Sequence, residues 1–185
     1  MTLNRVPRLQ PVGIENTYVI HAPRADDERG WLAELVRDSW VEPVRFCQVN
    51  VVRSRGGTLR GVHWHEEHHD LIAPVAGSLL VGLSDLRDGS PTAGHGVLLE
   101  LVDDPLAAVL VPPGVAHGFF SPGRSTVLYG ISRPYDGDDE YGVAFDDERL
   151  GIPWPVARAE VILSEREAAL PLLGEGRRPP GYERA

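Results

Sequence analysis

The stretch Gly57-Thr58-Leu59-Arg60-Gly61-Val62-His63-Trp64-His65 decides how this chain is read. His63 and His65 are two residues apart, so on a strand both project from one face. Asp70 and Gly77 follow on the next apolar run, and a second segment, Pro112-Pro113-Gly114-Val115-Ala116-His117, brings a further histidine from a later strand. Inside a barrel, His63, His65, Asp70 and His117 can converge. Three imidazoles with one carboxylate suit Fe(II), Mn(II), Ni(II) or Zn(II).

Outward from these segments the chain alternates short apolar runs with turn chemistry. Strands are expected at Thr17–His21, Gly30–Val36, Arg45–Val52, Gly61–Trp64, Leu71–Gly77, Leu79–Asp85, His95–Leu101, Ala107–Val111, Ala116–Phe120 and Ser125–Ile131. Asp26-Asp27-Glu28-Arg29, Ser54-Arg55-Gly56-Gly57, Asp88-Gly89-Ser90-Pro91, Pro112-Pro113-Gly114 and Pro122-Gly123 separate them. Strands at this even spacing predict an all-β sandwich or barrel with a few short helices. The strongest helical signal is late, where Ser164 and Glu167 stand at capping-box spacing. Residues 1–172 read as one domain, and 173–185 as a polar, Pro- and Gly-rich tail, loose or draped on a partner.

The 185 residues suffice for one domain with a real core. A net charge of -9 argues against non-specific nucleic-acid binding and against an anionic membrane surface. It leaves room for a small anionic ligand held by a local Arg cluster. The single cysteine, Cys47, sits in an apolar run and reads as a packed strand residue that cannot form an intrachain disulfide. Met1–Gln10 shows no apolar core of a signal peptide, and no run reaches the length of a membrane span, so a cytoplasmic protein is expected. Four of the seven histidines lie between His63 and His69. His68 and His69 read as a solvated turn, and His21 and His95 as surface residues.

The two histidine segments follow the two-part pattern of the cupin superfamily, with Asp70 where Glu is usual. The chain as a whole resembles the dTDP-4-dehydrorhamnose 3,5-epimerases and related epimerases of antibiotic-sugar pathways. The residues that carry the likeness are Asp27-Glu28-Arg29-Gly30, Gln48-Val49-Asn50, Leu59-Arg60-Gly61-Val62-His63, Asp85-Leu86-Arg87-Asp88-Gly89-Ser90-Pro91-Thr92, Pro112-x-Gly114-x-x-His117-Gly118-Phe119, Leu128-Tyr129 and Asp146-Asp147-x-x-Leu150-Gly151-Ile152-x-Trp154-Pro155. The resemblance implies a cupin jelly-roll barrel acting without a cofactor on a dTDP-4-keto-6-deoxyhexose. A base removes a proton alpha to the ketone and an acid returns one to the opposite face. It implies His63 as base, a role suited to imidazole. It implies Glu167 as the carboxylate that orients His63, against the plain reading of Glu167 as a helix cap, and Tyr129 as proton donor. Arg29 and Arg60 would hold the diphosphate, with Glu34, Gln48, Asn50 and His117 in the substrate pocket. A homodimer that exchanges the N-terminal strand carrying Arg29 is implied too.

The departures from that pattern fall beside the histidines. The family carries a Lys where this chain has Asp70, and the chain contains no Lys at all. His65 stands where the family commonly has Gln. A unit charge about 4 Å away is worth roughly 4 kcal/mol at an effective dielectric of 20, so the exchange bears directly on an enolate. Three outcomes follow. A divalent metal on His63, His65, Asp70 and His117 could replace the Lys. Asp70 could be protonated, or an Arg or backbone donor could serve. Or the barrel performs other chemistry, or only binds.

Overall fold

The computed structural model describes residues 6–175. Strands dominate: β1 (Arg8–Pro11), β2 (Tyr18–His21), β3 (Arg24–Asp27), β4 (Gly30–Ala33), β5 (Gln48–Ser54), β6 (Thr58–Trp64), β7 (Asp70–Ala76), β8 (Ser78–Asp85), β9 (Gly96–Val102), β10 (Ala107–Val111), β11 (Val115–Ser121), β12 (Ser125–Ile131) and β13 (Tyr141–Gly142). The one α-helix among the described residues, α1 (Glu165–Ala168), is a single turn. A six-stranded sheet, ordered β1-β2-β10-β7-β12-β5, packs on a five-stranded sheet, ordered β13-β6-β11-β8-β9. The strands of both sheets pair antiparallel. β3 and β4 form a separate two-stranded ribbon. No helix among the described residues is long and apolar enough to cross a membrane.

Alternation of side chains explains the layers. Val19, Ile72, Val109 and Val127 from one sheet meet Leu79, Val81, Leu83, Val115 and Phe119 from the other in the central core. The outer face of the five-stranded sheet carries Leu59, Val62 and Trp64, covered by Val143, Phe145 and Leu150. The outer face of the six-stranded sheet is covered by the segment that includes Val41 and Val44.

One break in alternation aims β6 at the interior. β11 pairs His117 with His63 but Phe119 with Arg60, so β6 carries one extra residue between Arg60 and His63. Arg60, Gly61 and His63 therefore all line the space between the sheets, while Leu59 and Val62 face the outer cluster. Gly61 permits this. Its φ is +105°, and a Cβ there would lie 2.6 Å from Gly118 Cα.

The expected strands are present, with ends moved by a few residues. Gly30–Val36 stops at Ala33, and the strand expected from Arg45 begins at Gln48. Cys47 consequently lies outside β5 and is exposed, which corrects its reading as a packed strand residue. β1, β3 and β13 were not expected. The side chains of β1 are all exposed, so it carries no alternating apolar signal. The capping box at Ser164 and Glu167 is formed. Of the tail expected at 173–185, residues 176–185 lie outside the described residues.

Candidate active site

A cavity of about 280 Å³ opens between the sheets, lined by Asn50, Arg60, His63, His65, His68, Asp70, His117, Tyr129, Tyr135, Glu140, Arg166 and Glu167 among others. His63 and His117 enter from paired positions on β6 and β11. Tyr129 enters from β12 in the opposite sheet, in register with Asn50 on β5 and Ile72 on β7. Asp70 starts β7 opposite Ile131. His63 and Tyr129 thus stand on opposite walls of one space.

His63 has the form of a base. Its Nε2 is buried and has no hydrogen-bond partner among the described residues. Its Nδ1 lies 3.5 Å from Glu140 Oε1, which also takes Arg166 Nη2 at 3.0 Å. Burial pulls the His63 pKa below 6.5, partly opposed by Glu140. The imidazole is therefore held neutral, with its Nε2 lone pair uncommitted. For Glu140 itself, burial pushes the carboxyl up, but Tyr135, His63 and Arg166 outweigh it and hold it ionised.

The carboxylate beside His63 Nδ1 is Glu140, which corrects the expectation that Glu167 would take that place. Glu167 spends its oxygens elsewhere. Oε1 accepts from Gly61 N–H at 3.1 Å, and Oε2 accepts from Ser164 N–H and Oγ–H at 3.0 and 2.8 Å. It caps α1 and ties that turn to β6 two residues before His63. Glu140, Tyr135 and Arg166 were missed because they sit in no motif. Their only sequence signal is an acidic loop and a charged helical turn.

The floor of the cavity is a cluster around Asp70, which is 1% exposed. Asp70 Oδ2 lies 3.3 Å from His65 Nε2 and 3.2 Å from His117 Nε2, and Oδ1 lies 3.7 Å from His68 Nε2. Burial pushes the Asp70 carboxyl up, but His117, His65 and His68 together hold it below the usual range, so it is ionised and not protonated. For His117, burial lowers the pKa, yet Asp70 outweighs it and raises it. Burial lowers His65 to about 4. The Tyr129 hydroxyl bonds His117 Nε2 at 2.8 Å, and burial raises its pKa well above 10.0.

The four metal ligands expected from the sequence do not all come together. His65, Asp70 and His117 place one ligand atom each within 4.8 Å of one another, and His63 is not part of that group. His63 instead faces Glu140. His68 is a second correction. It is buried, bonds Asp139 through Nδ1 at 2.9 Å and stacks on His65 with ring centroids 3.9 Å apart. Asp139 reaches it from a distant loop, which local polarity could not reveal. His95 is exposed as expected.

Of the residues expected to bind substrate, Asn50, Arg60 and His117 line the cavity. Gln48 stands behind them, donating to Asn50 Oδ1 at 3.1 Å and accepting from Tyr135 N–H at 2.9 Å. Arg60 Nε donates to Ser54 Oγ at 3.1 Å. Arg29 and Glu34 are not brought to this cavity. Arg29 is 82% exposed at the tip of the β3–β4 ribbon and pairs with Asp27 at 2.6 Å. Glu34 pairs with Arg37 at 2.5 Å.

Comparison with known proteins gives a consistent result. The family model described as dTDP-4-dehydrorhamnose 3,5-epimerase matches residues 11–175. A protein of that name from Sinorhizobium fredii is 33% identical over 175 residues, covering 90% of this chain and 89% of its own. A dTDP-4-dehydrorhamnose 3-epimerase from Streptomyces niveus is 33% identical over 179 residues, covering 92% and 86%. Among solved structures, a dTDP-6-deoxy-D-glucose-3,5-epimerase from Legionella pneumophila, in complex with dTDP-4-keto-L-rhamnose, superposes with a TM-score of 0.88 at 28% identity. It covers 96% of this chain and 100% of that one.

Proposed function

Because the chain belongs to the dTDP-4-dehydrorhamnose 3,5-epimerase family, we propose a reaction for its cavity in which His63 is the base and Tyr129 the acid. The protein is a carbohydrate epimerase of nucleotide-activated deoxysugars, built on a cupin-type β-sandwich. Its substrate is a dTDP-4-keto-6-deoxyhexose. The observation that carries the assignment of roles is the pairing of His63, whose Nε2 is buried and unpartnered, on one wall of the cavity with Tyr129 on the other.

The 4-keto group acidifies the protons on the neighbouring ring carbons. His63 Nε2 takes one, and the electron pair moves onto the ketone oxygen as an enolate. Glu140, next to Nδ1, stabilises the imidazolium that results. The enolate collapses by taking the Tyr129 proton from the opposite face, which inverts the carbon. His117, beside Tyr129, then returns a proton to the phenolate. With Asp70 ionised and His117 raised by it, the pair is close to neutral, so the enolate does not meet a bare carboxylate. Glu167 is a positioning residue that fixes Gly61 and so the path of β6. The sequence of proton transfers needs no cofactor.

Arg60, Gln48 and Asn50 serve the nucleotide end of the cavity, and Arg29 and Glu34 serve it across a homodimer. Two features support the exchange. A two-stranded ribbon alone is marginal in water, and β3–β4 exposes Trp31 and Leu32 by 46% and 55%. The edge strand β5 likewise exposes Val49 and Val51 by 62% and 69%. Residues 1–172 act as one epimerase domain with 173–185 appended to it, and the protein works in the cytoplasm.

Hydrogen exchange tests the assignment. The protein is incubated with dTDP-4-keto-6-deoxyglucose in D2O and the sugar followed by NMR. Deuterium should enter the carbon beside the ketone, and His63→Asn should slow entry by roughly 10³-fold with the thermal melt little changed. Undiminished exchange in His63→Asn would give the base role to another group. Exchange without inversion in Tyr129→Phe would place Tyr129 in the reprotonation step.

A further inference from the structure

We propose that Arg166 is a catalytic residue of the epimerase, the hydrogen-bond donor that stabilises the enolate oxygen formed when His63 removes the proton. The proposal rests on the reading of His63 as base. That step creates two charges at once. The electron pair of the C–H bond moves through the ring onto the ketone oxygen, and the proton goes to His63 Nε2. The oxygen is two bonds from the carbon that loses the proton, so the enolate forms beside the base. A negative oxygen in such a site is best met by a donor already in place.

The chain contains no lysine, so a permanent cation there must be an arginine. Arg60 and Arg166 are the two arginines among the described residues that line the cavity. Arg60 is engaged elsewhere, with Nε donating at 3.1 Å to Ser54 Oγ on β5, the strand that carries Asn50. The His117 imidazolium is committed to Asp70 Oδ2 at 3.2 Å. Arg166 is joined to the base by a single carboxylate oxygen. Glu140 Oε1 takes Arg166 Nη2 at 3.0 Å and lies 3.5 Å from His63 Nδ1.

The helical turn α1 explains how Arg166 arrives there. Glu167, the next residue, holds Gly61 N–H at 3.1 Å, and the Ser164 cap closes the turn. The turn that fixes β6 two residues before His63 therefore also carries Arg166 to the cavity. The Arg166 side chain is 54% exposed, so packing does not lock it. The Tyr135 hydroxyl accepts from Arg166 and donates to Glu140. Glu140 and Tyr135 occupy only part of the five-donor guanidinium fork.

Charge sets the division of labour. Before the reaction, Glu140 and Arg166 neutralise each other beside a neutral imidazole. After proton transfer, Glu140 faces an imidazolium and Arg166 faces an enolate. One ion pair thus serves both new charges. The stronger Glu140–imidazolium contact loosens the hold on Arg166 at the moment the enolate needs it. Arg166 keeps its protons throughout, and Tyr129 still supplies the proton that ends the enolate. The same carboxylate argues against a phosphate role, since Glu140 repels a diphosphate drawn to Arg166.

Arg166→Gln and Arg166→Lys are assayed in D2O with dTDP-4-keto-6-deoxyglucose, with His63→Asn in parallel. In Arg166→Gln, kcat for deuterium entry should fall about 10²-fold, the cost of one oxyanion donor, while KM, dTDP affinity and Tm change little. Arg166→Lys, which keeps the charge, should recover part of the rate. The acid limb of kcat/KM should move as well, because the Arg166 charge helps to hold the His63 pKa down. Loss of the guanidinium raises that pKa, so the limb shifts to higher pH in Arg166→Gln and stays near its place in Arg166→Lys. A limb that does not move in Arg166→Gln would take the cation away from the base and overturn the proposal. Unchanged kcat in Arg166→Gln, with His63→Asn slowed, overturns the role of Arg166 and leaves the base assigned. A higher KM or weaker dTDP binding at unchanged kcat gives Arg166 to the nucleotide and overturns it too. Fast exchange in both Arg166→Gln and His63→Asn overturns the base assignment, and this proposal with it.

Discussion

Two carboxylates, Asp85 and Asp70, are 0% and 1% exposed at the end of the sandwich closed by the β10–β11 turn, and their partners differ in kind. Asp85 is met only by donors. Arg87 gives Nε and Nη2 at 2.7 and 2.9 Å, Ser90 Oγ and Thr92 Oγ1 each lie at 2.6 Å, and Arg87 N–H adds a bond at 3.1 Å. Arg87 then reaches Glu15 O at 2.8 Å, locking the loop to the N-terminal segment. Asp70 is met by three imidazoles and keeps one oxygen without a hydrogen bond. A fully satisfied buried network specifies structure, whereas one whose partners gain and lose protons is available for chemistry. The contrast assigns the Asp85–Thr92 motif to the fold and the Asp70 cluster to the site.

The largest expected effect breaks the structural side. Asp85→Asn leaves the Arg87 guanidinium buried without its counter-charge, and Arg cannot shed its proton. The cost is about 3 kcal/mol, a fall in Tm of roughly 6–12 °C for a domain of this size. Turnover per folded molecule should be unchanged. The sign of the pH dependence follows from the carboxyl. Burial pushes the Asp85 pKa up, but Arg87, Ser90 and Thr92 outweigh it and hold it below 3.8. A depressed folded pKa stabilises above the unfolded value, and the gain is lost as pH falls through the folded one. The stability gap between wild type and variant should therefore be full above about pH 5 and shrink below it. A gap that is flat across acid pH would show that Asp85 is not the ionised anchor.

The next effect lies on the cavity side. Glu140→Gln keeps the size of the side chain but removes the charge beside His63 Nδ1 and releases Arg166. The imidazolium formed during proton abstraction loses its counter-charge. We expect kcat to fall about tenfold, equivalent to about 1.4 kcal/mol, with KM and Tm little changed. Glu167→Gln offers the sharper comparison. It should lower Tm more than kcat, since Glu167 anchors Gly61 and Ser164. The reverse ranking would return the orienting role to Glu167.

Much of this division was legible in the chain, for physical reasons that vary by region. Glycine and proline turns bound the apolar runs, so the central strands could be read from composition and period. The edges could not. β1 exposes all four side chains and is fixed only by pairing with β2. The run Val44–Val49 looks like one strand, yet Val44 packs under the six-stranded sheet while Cys47 turns outward. His63 and His117 were legible because motif spacing placed them on strands that pair, and Tyr129 because the family resemblance singled it out. Glu140 and Asp139 were not, because a loop far along the sequence brings them in. His68 shows the same limit. Its local sequence is that of a wet turn, and only Asp139 makes it part of the floor.

The smallest expected effect separates the two carboxylates most directly. Asp70→Asn removes a buried charge just as Asp85→Asn does, but its partners can adjust. His117 owes its raised pKa to Asp70, and without the carboxylate burial returns it to the neutral form. Neutral His117 still accepts from Tyr129 and donates to Val115 O, so no buried charge is stranded. The cost should therefore be about 1 kcal/mol, the net worth of an ordinary hydrogen bond, against about 3 for Asp85→Asn. Chemical denaturation of both variants at neutral pH, with unchanged m-values, measures the difference. Equal costs would mean that His117 cannot give up its proton, and that the floor of the cavity is as rigidly ionic as the Asp85 loop.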